Sequence, residues 1–181
     1  MDRKTFIKCC CLGACSVAVL GVEQSAAQTG GDKFVEKTHR WIADMMRALD
    51  RHLDEKTRLR IMEAQGRACY ASYDDASHES AQFRGDVDRF LTSLRSHAGE
   101  ANVRRQGNIV HFSYPPSAGG TRECLCPLVA AASGPLSPTF CACSVGYVRE
   151  MFERVAGKPA DVQLLESLKR GGKQCRFKIT M

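Results

Sequence analysis

The sequence predicts an α+β domain: N-terminal helices, then a small, mostly antiparallel sheet with one inserted helix. Three observations carry that expectation. Apolar residues recur every three or four positions through the first half of the chain. After Asn108 the period falls to two. The pairs Pro115-Pro116 and Gly171-Gly172 punctuate the alternating half.

Between Lys33 and His52, the residues Phe34, Thr38, Trp41, Ile42, Met45 and Leu49 trace one face of an amphipathic helix. Asp54 is placed to cap a second helix through Leu59 and Met62, which the sequence ends near Gly66. The polar stretch from Ser72 to Ser80 reads as a loop. A third helix is expected from about Glu79 to His97, with Phe83, Val87, Phe90 and Leu94 on one face. Asn108 to Tyr114 alternates as a strand that stops at Pro115. A short strand is expected from Cys124 to Val129. Ser144 is then expected to cap a helix carrying Val148, Met151, Phe152 and Val155, closed by Gly157. Val162, Leu164, Glu166 and Leu168 alternate, Gly171-Gly172 turns the chain, and Cys175, Phe177 and Ile179 alternate back as a hairpin.

The first 27 residues read as an export signal. Met-Asp-Arg-Lys-Thr-Phe-Ile-Lys is a charged start, Cys9 to Val22 is an uncharged core too short for a stable bilayer span, and Ser25-Ala26-Ala27 supplies small residues for cleavage. The start resembles a twin-arginine signal with Lys4 in place of the second arginine and Ile7 in place of leucine. That route implies export machinery as a partner and a chain that crosses the membrane already folded. Cleavage after Ala27 leaves a linker over 28–32 and a single domain over 33–181, in the periplasm or outside the cell. Leu12-Gly13-Ala14-Cys15 also looks like a lipobox, which would instead anchor the chain through lipid on Cys15.

The 181 residues carry a formal charge of +6, and 25% are charged. Acids and bases alternate, as in Asp86-Val87-Asp88-Arg89, without a run of like charge, which argues against a nucleic-acid partner.

Ten cysteines are the anomaly, and six fall after the leader: Cys69, Cys124, Cys126, Cys141, Cys143 and Cys175. Cys124-Leu-Cys126 and Cys141-Ala-Cys143 stand fourteen residues apart. Four thiolates in two close pairs is the ligand count of a zinc site or an iron–sulfur cluster. In an extended strand, however, a C-x-C pair spans about 6.5–7 Å. Each pair would therefore need a turn or bulge to chelate one ion. Two other chemistries use the same atoms. Opposed pairs could form disulfides in an oxidising compartment. Alternatively, Cys143 or Cys141 could be a nucleophile whose thiolate is stabilised by the helix that follows. Arg67, Arg149 and His111 would then orient an anionic small molecule. Cys69 and Cys175 could join the metal, pair with each other, or stay as buried thiols.

Leu53 through Cys69, the C-x-C pair running into Ser144–Glu153, and Gly172-Lys-Gln-Cys175-Arg-Phe-Lys-Ile179 together resemble an uncharacterised family of bacterial exported proteins. That family often has cysteine where Gln65 stands here, which weakens a ligand role for the Gly66–Cys69 motif. The ending Gly-x-x-Cys-x-Phe-x-Ile is also similar to the small-ligand domain named for 4-vinyl reductase and to the L-2-amino-thiazoline-4-carboxylic acid hydrolase family. The first likeness implies a pocket without chemistry. The second implies a cysteine or metal-activated water that opens a small heterocycle. The leading expectation is an exported metal-binding protein, with the hydrolase and a disulfide-stapled binding module as the alternatives.

Overall fold

A computed structural model describes residues 25–72, 80–116, 124, 126 and 137–181, with side chains from 33 onward. The leader calls at residues 1–24, the loop at 73–79 and the strand expected beyond Cys126 lie outside these residues. The chain divides into two units, Met1–Phe34 and Val35–Met181, and of the first only helical backbone from Ser25 and the side chains of Lys33 and Phe34 are described.

Helix α1 (Ser25–His52) opens earlier than the sequence suggests and takes in 28–32, the expected linker. No proline interrupts that run, and Gly30 and Gly31 together cost a helix only about 2 kcal/mol against alanine. Its buried stripe is also rotated from the expected one. His39 and Met46 are buried and Ile42, Ala43 and Leu49 pack beside Met46, whereas Trp41 is 63% and Met45 40% exposed. Both stripes obey the three–four spacing, so periodicity alone does not choose between them.

Asp54 caps α2 (Glu55–Ser72) as expected, accepting from the Thr57 amide at 3.0 Å. The helix does not stop at Gly66, however, and carries Cys69 within its last turns. Helix α3 (Val87–Ala98) begins eight residues later than expected, where Asp86 accepts from the Arg89 amide at 3.0 Å. Phe83 stays buried in the turn before it.

Strands β1 (Val103–Gln106) and β2 (Ile109–Ser113) form a hairpin through Gly107, whose φ of +60° suits glycine. Helix α4 (Ala142–Ala156) follows a short 3-10 turn at Pro138–Cys141 and ends at Gly157, φ +67°. It starts ahead of Ser144, whose hydroxyl instead donates to the Cys141 carbonyl at 2.6 Å. Strands β3 (Asp161–Glu166) and β4 (Arg176–Thr180) close the fold as the expected antiparallel pair, but Leu168 stands in a 3-10 turn at Leu168–Arg170 and Cys175 just before β4, not on the strands as expected.

The four strands lie in the order β1-β2-β4-β3, all antiparallel. The fold is α+β, as the change of period implied. One face of the sheet presents Val103, Val110, Phe112, Val162, Phe177 and Ile179 to α4 (Val148, Phe152, Val155) and α3 (Phe90, Leu91). Each such side chain contributes about 1.5–3 kcal/mol by leaving water. A second, smaller core joins Met46 of α1, Met62 of α2, Phe140 and Ala142. Cys124, Cys126 and Cys143 pack against that second core.

A cysteine cluster at a helix crossing

Helices α2 and α4 touch backbone to backbone. A Cβ built on Gly66 would stand 1.8 Å from the Cys143 carbonyl oxygen, and one on Gly146 would stand 1.9 Å from that of Glu63. Only glycine permits such an approach. Ion pairs flank the contact. Arg67 donates through Nη1 to Glu150 and Glu153, at 2.7 Å each, and Arg149 pairs with Glu63. Tyr70 and Tyr147 meet edge to face, their centroids 4.9 Å apart.

The cysteines gather beside this crossing. Cys69 rides on α2, Cys141 is the residue before α4, and Cys143 lies in its first turn. The second C-x-C pair thus stands in a helical turn rather than in an extended strand. Cys124 and Cys126 are in irregular chain, and Cys175 directly precedes β4, its carbonyl accepting from the Tyr114 amide at 3.1 Å. Ser167, buried between β3 and β4, donates to Cys141 Sγ at 3.1 Å and also stands beside Cys175. All six cysteines are half-buried free thiols. Among the described residues, no three His, Cys, Asp or Glu side chains are arranged around a single ion.

Electrostatics ties the six together. Burial pushes the Cys143 thiol up to about 12, and the nearby sulfurs of Cys69, Cys126 and Cys141 push the same way. Burial raises Cys175 too, partly offset by the Leu168 amide and the Ser167 hydroxyl, with Cys124 and Cys141 near enough to add to the rise. Burial alone raises Cys69. Tyr114 is held well above its ordinary value by burial, then by Tyr147, Cys175, Cys143 and Cys126. No lysine, arginine or histidine is among the charges that act on Cys143 or Cys175.

Over residues 19–181 the chain matches the model of a family of unknown function, DUF6144. It belongs to that family. No curated protein and no solved structure matches it.

This DUF6144 chain places Cys143, one expected nucleophile, in the first turn of α4 and Cys141, the other, just before it. The first turn of α4 ought to favour a thiolate at Cys143, whereas burial pushes its thiol up to about 12. Arg67 and Arg149 are engaged by Glu63, Glu150 and Glu153 rather than turned toward an anionic ligand. His111 alternates with the buried Val110 and Phe112, so it lies on the outer face of the sheet, paired in register with Arg104 and Lys178. The structure therefore gathers the cysteines and not their expected helpers. Sequence reasoning missed Ser167, Tyr114, Gly66 and Gly146. A Gly-x-x-Cys in one helix and a Cys-x-x-Gly in the other was the available signal. No helix among the described residues is long and apolar enough to cross a membrane.

Proposed function

We propose that the DUF6144 chain is an exported protein that holds zinc or an iron–sulfur cluster on Cys124, Cys126, Cys141 and Cys143, with Cys69 and Cys175 beside them. The observation that carries this reading is the gathering of six half-buried thiols from four separate stretches of chain, with neighbouring sulfurs rather than basic side chains among the charges that raise Cys143 and Cys175. Buried thiols with no cation of their own are poor nucleophiles but become strong ligands once a soft cation displaces their protons. The Ser167 hydroxyl and the Leu168 amide supply the hydrogen bonds to sulfur that commonly surround thiolate-bound metals.

A twin-arginine-like leader fits the same picture, since that route would let a cofactor be inserted before export. The C-terminal likeness to the hydrolase and ligand-domain families contributes Cys175 alone to the site.

The test is the metal content and visible absorbance of the full chain, purified anaerobically without a histidine tag. One zinc per chain, or a brown cluster, is expected, together with a fall in unfolding temperature on chelation. Metal-free protein whose stability ignores chelators would refute the reading, and a free-thiol count on the same sample would then separate disulfides from reactive thiols.

A further inference from the structure

Arg67 and Arg149 are bound to glutamates and do not turn toward His111, but the sheet sets two other cations beside that histidine. We propose that Arg104, His111 and Lys178 bind the phosphoryl group of a small phosphorylated molecule on the open face of the sheet. The proposal uses none of the cysteines and stands apart from the metal reading.

Strand register supplies the geometry. Arg104 of β1, His111 of β2 and Lys178 of β4 stand opposite one another across three strands, and Gln163 of β3 completes the row. Their chain neighbours Val103, Val110, Phe112, Phe177 and Ile179 face the core against α3 and α4, so the row lies on the opposite face. Arg104 is exposed there, and His111 and Lys178 are half-buried. Adjacent strands lie about 4.8 Å apart, so the Arg104 and Lys178 backbones are about 10 Å apart with His111 midway. Both of these side chains are long and flexible enough to lean over the shorter ring between them.

Charge sets this row apart from the rest of the sheet. The other two arginines on the strands are paired, Arg105 with Asp88 at 2.6 Å and Arg176 with Glu166 at 3.7 Å. Among the described residues Arg104 and Lys178 form no ion pair, and no carboxylate stands in their row. Asp161, one rung away on the edge strand β3, accepts from Gln163 at 3.0 Å and lies 4.0 Å from Arg149. Like charges gathered on one sheet face repel, and an anion laid over His111 would neutralise both.

A phosphoryl group has three terminal oxygens. The row offers three donors to match: the planar fork of Arg104, the ammonium of Lys178 and a ring nitrogen of His111. Polymers and membranes fit it less well. The rungs on either side do not repeat the row, for they pair Ile109 with Thr180 and Ser113 with the already engaged Arg176. A polyanion therefore finds no second step, and two cations hold a chain only weakly to an anionic bilayer. Among the described residues no Phe, Tyr or Trp of the strands lies on this face to stack a base.

The experiment titrates inorganic phosphate into the isotope-labelled full chain at constant ionic strength. It follows the His111 ring signals by nuclear magnetic resonance, identified by their loss in His111→Gln. A saturating shift is expected, with a dissociation constant on the order of 1 mM. Arg104→Gln and Lys178→Gln should each weaken binding about tenfold. Arg105→Gln removes the same charge from a neighbouring but paired side chain, and should change it by less than about twofold. A shift that never saturates, or equal weakening in Arg105→Gln, overturns the site. Acetate bound as tightly as phosphate overturns the phosphoryl class in favour of a carboxylate. Sedimentation with phosphatidylglycerol vesicles that Arg104→Gln abolishes would put a lipid headgroup there and overturn the small-molecule source. Should a variant fail to fold, the wild-type titration still decides, since a shift confined to histidines other than His111 also overturns the site.

Discussion

Replacing Gly66 with alanine tests the crossing directly, because two principles predict opposite signs for it. In an isolated helix, alanine is better than glycine by about 1 kcal/mol. Here the new Cβ would stand 1.8 Å from the Cys143 carbonyl oxygen, where ordinary contact needs roughly 3.4 Å. The obstacle is backbone, so no side chain can swing aside. Helices α2 and α4 must part by about 1.5 Å, which loosens the Tyr70–Tyr147 contact and stretches the Arg67 and Arg149 pairs. Overpacking of this kind costs up to about 3 kcal/mol, and the weakened ion pairs add to it. Set against the propensity gain, the net loss is roughly 2–3 kcal/mol, or about 5–10 °C in unfolding temperature for a unit of this size. Urea unfolding followed by far-ultraviolet circular dichroism measures it, with an unchanged slope expected if only stability moves. Gly146→Ala should behave alike, and the double variant should cost less than the two singles together, since helices already parted meet the second methyl without a clash. A Gly66→Ala chain as stable as wild type, or more so, would refute the crossing.

The remaining predictions concern the rest of the framework. Phe152→Ala, at a fully buried position on α4, should cost roughly 3–5 kcal/mol, whereas Trp41→Ala on the exposed side of α1 should stay within about 0.5 kcal/mol; urea midpoints compare them. Asp86→Ala removes the cap of α3 and should cost about 1 kcal/mol in the same assay. Burial raises the Glu153 carboxyl, but bonds from Arg67 and the Ala160 amide and the charges of Arg67 and Arg149 outweigh it and hold the group below its ordinary 4.5. A carboxyl depressed in the fold stabilises it above that ordinary value and loses the contribution as pH falls through the lower, folded one. Stability should therefore drop on acidification below about pH 4.5, and Arg67→Met should flatten that part of the profile.

How far the sequence could be read depended on whether a signal was local. The Asp54 cap, the Gly157 stop and the β3–β4 hairpin are local, and each stands where the residues put it. Gly66 is not. A lone glycine in a helical pattern reads equally as a stop or as a close approach, and the partner that decides, Gly146, lies eighty residues on. Strand β1 escaped because Val103 is its one buried residue, the other three facing water, so no alternation marks it. The α1 stripe was misplaced in part because Trp41 and Met45 satisfy the helical period as well as His39 and Met46 do. Only the packing of Met62 and Phe140 against Met46 chooses the second set.

The cysteine site divides along the same line. The C-x-C pairs stand out in their spacing, but that Cys69 lies on the helix packed against Cys143 is a property of the α2–α4 contact. A thiol beside a helix N-terminus and near a base invites the nucleophile reading, and sequence cannot show the desolvation that opposes it. At Cys143 the helix start pulls toward thiolate, while burial and three neighbouring sulfurs push toward thiol. Together burial and those sulfurs push the thiol up to about 12. Arg67 and Arg149, expected to orient an anion beside it, pair with glutamates instead. What reverses the balance is a positive charge brought from outside and shared among several sulfurs at once. That requirement, more than the motif, is why we propose the cluster as a place for a soft metal ion.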